Sequence, residues 1–567
     1  METFDLRRDV SRRVEQLRPR EPAEALSSAH PSGPGTERSA GAGPAGPNPA
    51  DASTDAPLLR SMVVGIDDAG PSPLSRDQIS AFGDFFTRNL ILRGRSPLTL
   101  QALLDDLDAL PDDVRLNERS VFVVAEGASL ALTHPSTPLN ARLVVVWRRR
   151  ASTVPADLML STVPSLDDPA ALLQLIAWSE AQGAFHFFER VRDGSGWVWA
   201  GNSFHALEGP SRGRGPFDSH VNGSLVLKEL KFPWVHWNSM ASIIPRTQVL
   251  RSEEVLRHEL FRQFDGAEDL EDIVTRGIRR WTLRRLEHES VDGRLQNFSR
   301  YARQLVTTTT VNLVSSSVAG SLTATSDEID LPVTFFLDED GLDRCLGELT
   351  GEQPPPPQKV TVDGSTYADV SGELGLHVVD TADHRISGDT SFAFVVPERA
   401  FEDFAVVAEL IDAQVLSPRL AICALMVDFP NPVFSPHRAR LLRYFPDSAP
   451  VGSGGQQLDD DVVAAVRDAQ AAAGSPEAEF LRWWDLPDLP TAVREAVDGY
   501  LTAVRGRLRE PGGVRDVLRL AESRRQSFRR RPLAEFPPTT ARLGESVPTL
   551  RMTEDADVLP ATNGTEE

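Results

Sequence analysis

Between residues 185 and 238 the chain places four of its eleven histidines, His186, His205, His220 and His236, among Phe185, Phe187, Phe188, Trp197, Trp199, Phe204, Phe217, Phe232, Trp234 and Trp237. Imidazole is a ligand for zinc, iron and copper and an axial ligand of haem. The four histidines are therefore candidate ligands of a metal ion or a haem iron, and Trp197, Trp199 and Trp234 are candidate walls of the pocket that would hold it. Their spacings of 19, 15 and 16 residues match no short ligand motif such as HExxH. Folded strands would have to bring them together.

The same stretch contains "LKELKFPWVHWNS", residues 227 to 239, with two of the three lysines in a chain where arginine outnumbers lysine 56 to 3. A GC-rich bacterial coding bias writes arginine wherever positive charge alone matters. Lysine differs in chemistry, because its amine loses a proton readily on burial and then acts as a base or nucleophile. Lys228 and Lys231 are thus candidate catalytic groups, with His220 and Glu229 as proton partners. If this segment is a strand, Glu229 and Lys231 share one face and Lys228 the other. The competing reading is structural: a hairpin rich in Trp and Phe forms the core of a sheet, and its histidines are hydrogen-bonded core residues.

Other signals are weaker. "GAGPAG" fits GxGxxG literally but has no strand before it and no helix after it. "LDEDGLD", residues 337 to 343, lacks the ligand spacing of a calcium loop. Arg276, Arg279, Arg280 and Arg284 share a helix side and read as a solvated, ion-paired face. "ESRRQSFRRRP" is a basic run suited to an acidic partner or to this chain's own acidic surface. In "ALMVDFPNPVFSPHR" two X-Pro turns follow an apolar run, and Asp428 with His437 could reach a pocket mouth there.

Positioning these residues requires strands and helices that the pattern partly predicts. Ser75 with Gln78 forms a capping box ahead of a helix, and Ser96 with Pro97 opens a second one. "SVFVVAEG" and "RLVVVWR" read as strands, and Asp193-Gly194-Ser195-Gly196 reads as the turn of a hairpin over 184–201. Helices are expected over "DDPAALLQLIAWSEAQG", "SEEVLRHELFRQF", "AEDLEDIVTRGIRRWTLRRLEHES", "GRLQNFSRYARQL" and "RAFEDFAVVAELIDAQ". Strands are expected over "LPVTFFL", "LGLHVVDT", "SFAFVVPE" and "LAICALMVDF".

The fold class expected is α+β, a mixed α/β chain with a β-rich central region, flanking helices and a helical C-terminal unit. The expected units are a short amphipathic helix (1–20), a Pro/Gly/Ala linker (21–57), an α/β unit with the His-rich hairpin (58–250), and a mixed unit with a polyproline loop near 354–357 (251–450). A helical unit (451–535) and a disordered tail (536–567) follow. A net charge of −23 disfavours nucleic acid as a partner, no run of about 18 apolar residues suggests a membrane span, and two distant cysteines suit a reducing cytoplasm. The leading expectation is a cytosolic bacterial enzyme, a metal- or haem-assisted oxidoreductase acting on a small apolar or aromatic substrate. The alternatives are a non-catalytic scaffold that meets a protein partner through residues 1–57, and a ligand-binding module without turnover.

Overall fold

A computed structural model describes residues 58–126, 140–150, 155–191, 195–226, 257–262, 265–314, 328–353, 355, 358–375, 377–379, 385–387, 396–529 and 549–561. The fold is α+β. Its N-terminal half is a nine-stranded mixed sheet in the order β2-β1-β8-β7-β6-β5-β4-β3-β9. The strands are β1 (Arg60–Ser61), β2 (Ser72–Pro73), β3 (Glu118–Glu126), β4 (Asn140–Arg148), β5 (Leu158–Thr162), β6 (Leu173–Ser179), β7 (Ala184–Arg190), β8 (Trp197–Asn202) and β9 (Asp265–Gly266). From β3 to β8 each strand pairs antiparallel with the next, and the short β1 and β9 add parallel pairs to β8 and β3.

Three short helices, α1 (Arg76–Phe82), α2 (Phe85–Asn89) and α3 (Leu100–Asp108), lie in the segment between β2 and β3. The Ser75–Gln78 capping box is present at the start of α1. The helix expected at Ser96–Pro97 instead starts at Leu100, because the Thr99 side chain accepts from the Ala102 N–H. Phe82 and Phe86 press their rings on His186, Trp199, Phe188 and Trp197 of β7 and β8. The other face packs under a 23-residue helix, α4 (Ala267–Glu289). Close approach there depends on Gly277, where a Cβ would stand 2.5 Å from Leu225 Cδ1 and 3.6 Å from the Phe185 ring. The arginine face of α4 is ion-paired as expected: Arg276 with Asp272, and Arg280 and Arg284 both with Glu180.

The C-terminal half is mainly helical. Its longer helices are α5 (Phe298–Val306), α6 (Glu339–Thr350), α7 (Gly364–Glu373), α8 (Phe401–Asp412), α9 (Pro418–Leu425), α10 (Gln456–Asp468), α11 (Pro476–Trp484), α12 (Leu489–Arg507) and α13 (Pro511–Arg529). The helix α9, buried from Leu420 onward, packs on α6 and α11, while α8 lies against both α4 and α5. Residues 286 to 556 contribute to one apolar core, so the units expected at 251–450 and 451–535 share an interior. Both cysteines, Cys345 of α6 and Cys423 of α9, are free thiols at 0% exposure in that core. Among the described residues no helix is long and apolar enough to cross a membrane.

Several expected elements differ. "DDPAALLQLIAWSEAQG" is a turn followed by β6, because the Asp168 carboxylate accepts from the Ala170 N–H and closes a tight turn in place of a helix cap. Leu173, Leu175 and Ala177 then alternate inward with strand period. "LAICALMVDF" is helical, not a strand: Ser417 caps Leu420 and Pro418 occupies the first turn. Every residue from 420 to 427 is at most 2% exposed, and such a run has no periodicity to read. "LPVTFFL" closes as a 3-10 turn, Val333–Phe335, after Pro332. "GRLQNFSRYARQL" splits into a strand, Arg294–Gln296, and α5, with Asn297 at φ +54° between them. Of "SEEVLRHELFRQF" the described residues are 257–262, where Arg257 is helical and Glu259–Phe261 is a 3-10 turn. The tail expected to be disordered holds a hairpin, Leu550–Met552 with Val558–Pro560, whose Leu550, Met552 and Ala556 enter the core. The 1–20 helix, the 21–57 linker and Pro354, Pro356 and Pro357 lie outside the described residues.

Candidate functional site

The histidine- and tryptophan-rich hairpin is the centre of the sheet. His186 is 0% exposed, contacts Phe82, Phe188 and Trp199, and has Nε2 within 3.0 Å of Gln182 Oε1. Burial, reinforced by the His205 charge, pushes its pKa down to about 3, which keeps the ring neutral. His220 packs on Phe187, the next side chain along β7, which points to the opposite face, and its Nδ1 lies 2.7 Å from the Ser224 carbonyl. His205 sits edge-on to Trp199 and pairs with Asn202 at 2.7 Å. Trp197 donates to the Pro97 carbonyl at 2.7 Å.

The sheet therefore does not bring His186, His205 and His220 to one point. Among the described residues no group of three or more His, Cys, Asp or Glu is arranged to hold a metal ion. Trp197 and Trp199 pack against Phe86 of α2 and Phe82 of α1. Lys228, Glu229, Lys231, Trp234 and His236 lie outside the described residues.

What the structure does assemble is a cleft of about 410 Å³ around Asp428, His437, Glu479, Arg482, Arg551 and Glu554, with Pro430, Ala478 and Met552 as its apolar part. Asp428 and His437 come from the double X-Pro segment, and its conformation explains their placement. Asp428 and Phe434 both have positive φ, +53° and +56°, a strained geometry that surrounding structure must hold in place. Two buried guanidinium groups hold it. Arg438 donates to the carbonyls of Val427, Asp428, Asn431 and Pro432, and Arg524 donates to Pro430. Burial, helped in Arg438 by the nearby Arg399 charge, pulls both pKa values down to about 10.

Arg524 belongs to the basic run expected to meet either an acidic partner or this chain's own acidic groups, and the described part does the second. Arg524 and Arg525 are buried, the latter paired with Glu522 at 2.8 Å.

The remaining walls are fixed in the same way. Asn431 exchanges two hydrogen bonds with the backbone of Met552, each 2.9 Å, and so clamps the terminal hairpin with Arg551 and Glu554 beside the turn. Ser475 caps α11, which carries Glu479 and Arg482. Glu479 accepts from the Asp428 N–H at 3.0 Å and faces His437 Nε2 at 3.3 Å. Burial alone would raise its pKa, but His437, the Asp428 N–H and Arg482 outweigh that and hold it ionised.

The cleft thus alternates three carboxylates with three basic groups. Two ion pairs across it are loose, Arg551–Asp428 at 3.8 Å and Arg482–Glu479 at 4.0 Å, while Arg482–Glu554 closes to 3.1 Å. Chemically, it can hold a small molecule carrying both charges and exchange a proton through the His437–Glu479 pair. Sequence reasoning found Asp428 and His437 and missed Glu479, Arg482, Arg551 and Glu554. The last four reach the site through tertiary packing, and their local sequence carries no signal of it. Compared with protein-family models, with curated proteins and with solved structures, the chain matches none.

Proposed function

We propose that this protein binds a small zwitterionic molecule in the cleft beneath the 428–437 turn, with His437 and Glu479 as its acid–base pair. The observation that carries the proposal is the convergence of six ionisable side chains from three separate segments on one open volume of ligand size. A rigid support strengthens it, since binding groups held in place beforehand lose little entropy when the ligand arrives. A carboxylate on the ligand would meet Arg482 and Arg551, and an ammonium would meet Asp428 and Glu554, taking over the loose Arg551–Asp428 and Arg482–Glu479 pairs and the closer Arg482–Glu554 pair. Two free, buried cysteines accord with a cytoplasmic location.

The test is calorimetric titration of the full-length chain with free amino acids and with their N-acetylated and amidated forms. At least one zwitterion should bind, each capped form should lose about tenfold or more, which is roughly 1.4 kcal/mol, and Arg551→Gln should weaken the zwitterion by a similar factor. If the whole panel fails to bind, or capped forms bind equally well, the proposal is wrong.

A further inference from the structure

The chain has 82 acidic residues against 59 basic ones, yet one place in the fold gathers cations almost unaccompanied. It lies where the last turns of α4 meet α5 and the loop after β8. Arg285 of α4 is the floor, at 1% exposure, with its guanidinium 3.8 Å above the Tyr301 ring of α5. Arg300 and Arg303, half-buried on α5, stand one helical turn apart, and Arg212 forms the exposed rim, anchored by a 2.8 Å bond to the Leu207 carbonyl. The four charges act on one another. Burial first, then Arg303, Arg300 and Arg285, pull the Arg212 pKa down.

The compensation is thin. Glu289 pairs with Arg285 Nε at 3.4 Å, and among the described residues Arg300 and Arg303 have no carboxylate partner. Arg285 donates through one nitrogen to Gln304 at 3.2 Å, while its Nη2 is buried without a hydrogen-bond acceptor. The Tyr301 hydroxyl is buried beside Glu289. Guanidinium groups are held together against their repulsion when an anion sits between them, and their planar donor forks match a tetrahedral oxyanion. Four cations facing two carboxyl groups, Glu289 and the buried Glu402 whose pKa is raised to about 8, suit a dianion better than a monocarboxylate.

We infer that Arg212, Arg285, Arg300 and Arg303, with the Tyr301 hydroxyl, form a binding site for a phosphoryl group, either the free ion or a small monoester. The site is separate from the zwitterion cleft and does not depend on it. Exposure falls from Arg212 at the surface through the half-buried Arg300 and Arg303 to the buried Arg285, so an anion would enter from the Arg212 side.

The experiment is thermal unfolding of the full-length chain at constant ionic strength with inorganic phosphate or chloride, and in a second arm glycerol 3-phosphate. Saturating phosphate should raise Tm by roughly 2–3 °C over chloride. A larger rise with glycerol 3-phosphate identifies a monoester as the occupant, and an equal rise identifies the free ion. The Arg300→Gln/Arg303→Gln double variant, altered only at half-buried positions, should lose the phosphate response, and Arg276→Gln, on the outer face of α4, should keep it. Without phosphate the double variant should be at least as stable as the parent, because repulsion is relieved. No rise over chloride, an undiminished rise in the double variant, or a double variant destabilised in phosphate-free buffer overturns the inference.

Discussion

Glu402 and Asp403 open α8 side by side, both buried, with unequal provision. Asp403 accepts from the Thr309 N–H at 3.1 Å, from the Thr309 hydroxyl, and from Gln304 at 3.2 Å. Glu402 is 3% exposed, with only the Asn222 side chain and the Arg285 charge to favour its ionised form. Burial, then the Asp403 charge, push its pKa up to about 8. In the unfolded chain it titrates near 4.5, so above that pH unfolding releases a proton that the fold retains. Stability therefore falls as pH rises towards 8, and the full cost remains above it.

Asp84, Asp343 and Asp459, each raised to about 6 by burial, the raised Asp403 and the lowered His186 and His205 also make stability depend on pH, so Glu402 is isolated by comparing the parent with Glu402→Gln between pH 6 and 8. Over that interval the parent should lose about 2 kcal/mol relative to Glu402→Gln, measured by urea unfolding at both pH values. Parallel behaviour of the two proteins would mean that Glu402 is ionised in the fold. At this scale the sequence was legible only where a residue stood out chemically. Asp428 and His437 stood out through the prolines around them. Arg212, Arg285, Arg300 and Arg303 could not, because arginine is this chain's default cation.

Among elements, those with local punctuation were readable. The hairpin over 184–201 and the α1 capping box both announce themselves within a few residues. Buried α9 and β6 do not, since their geometry is decided by partners distant in sequence. The Asn222–Gly223 turn illustrates how such partners act. Asn222 accepts from the Trp281 indole N–H at 2.8 Å and donates to Thr309 at 2.8 Å, which ties the sheet's last loop to α4 and to the approach to α8. Gly223 has φ +79°, and a Cβ there would stand 2.2 Å from the Ser203 carbonyl oxygen. Gly223→Ala should cost about 3 kcal/mol or more in denaturant unfolding, whereas Gly94→Ala, at φ +75° but in open space, should cost about 1 kcal/mol. Equal costs would leave backbone strain alone responsible and remove the clash from the account.

Across the whole molecule two apolar cores meet along α4 and α8. Leu270, Val274, Ile278 and Trp281 belong to the first core and Leu286 to the second, while Ala405 belongs to the first and Val406, Val407, Leu410 and Ile411 to the second. A boundary near residue 250 was expected because composition turns helical there. The helix that begins soon after is shared by both halves, and a shared helix leaves no mark in composition. The α+β class was legible because strand-rich and helix-rich regions are segregated along the chain, which composition does record.

The two buried thiols give that second core a clock. Burial pushes the pKa of Cys345 and of Cys423 up to about 12, so in the native state neither offers a thiolate to a disulfide reagent at pH 8. Labelling then proceeds only as fast as the core opens, and the chain contains no other sulfhydryl to obscure the signal. Both cysteines should modify slowly and at one common rate, with Cys345→Ser and Cys423→Ser assigning the two, and mass spectrometry should find native chains carrying either no adduct or two. Rapid modification of one alone would reveal that α6 or α9 opens independently. An unaltered protein thus reports, by simple mass, how often its interior comes apart.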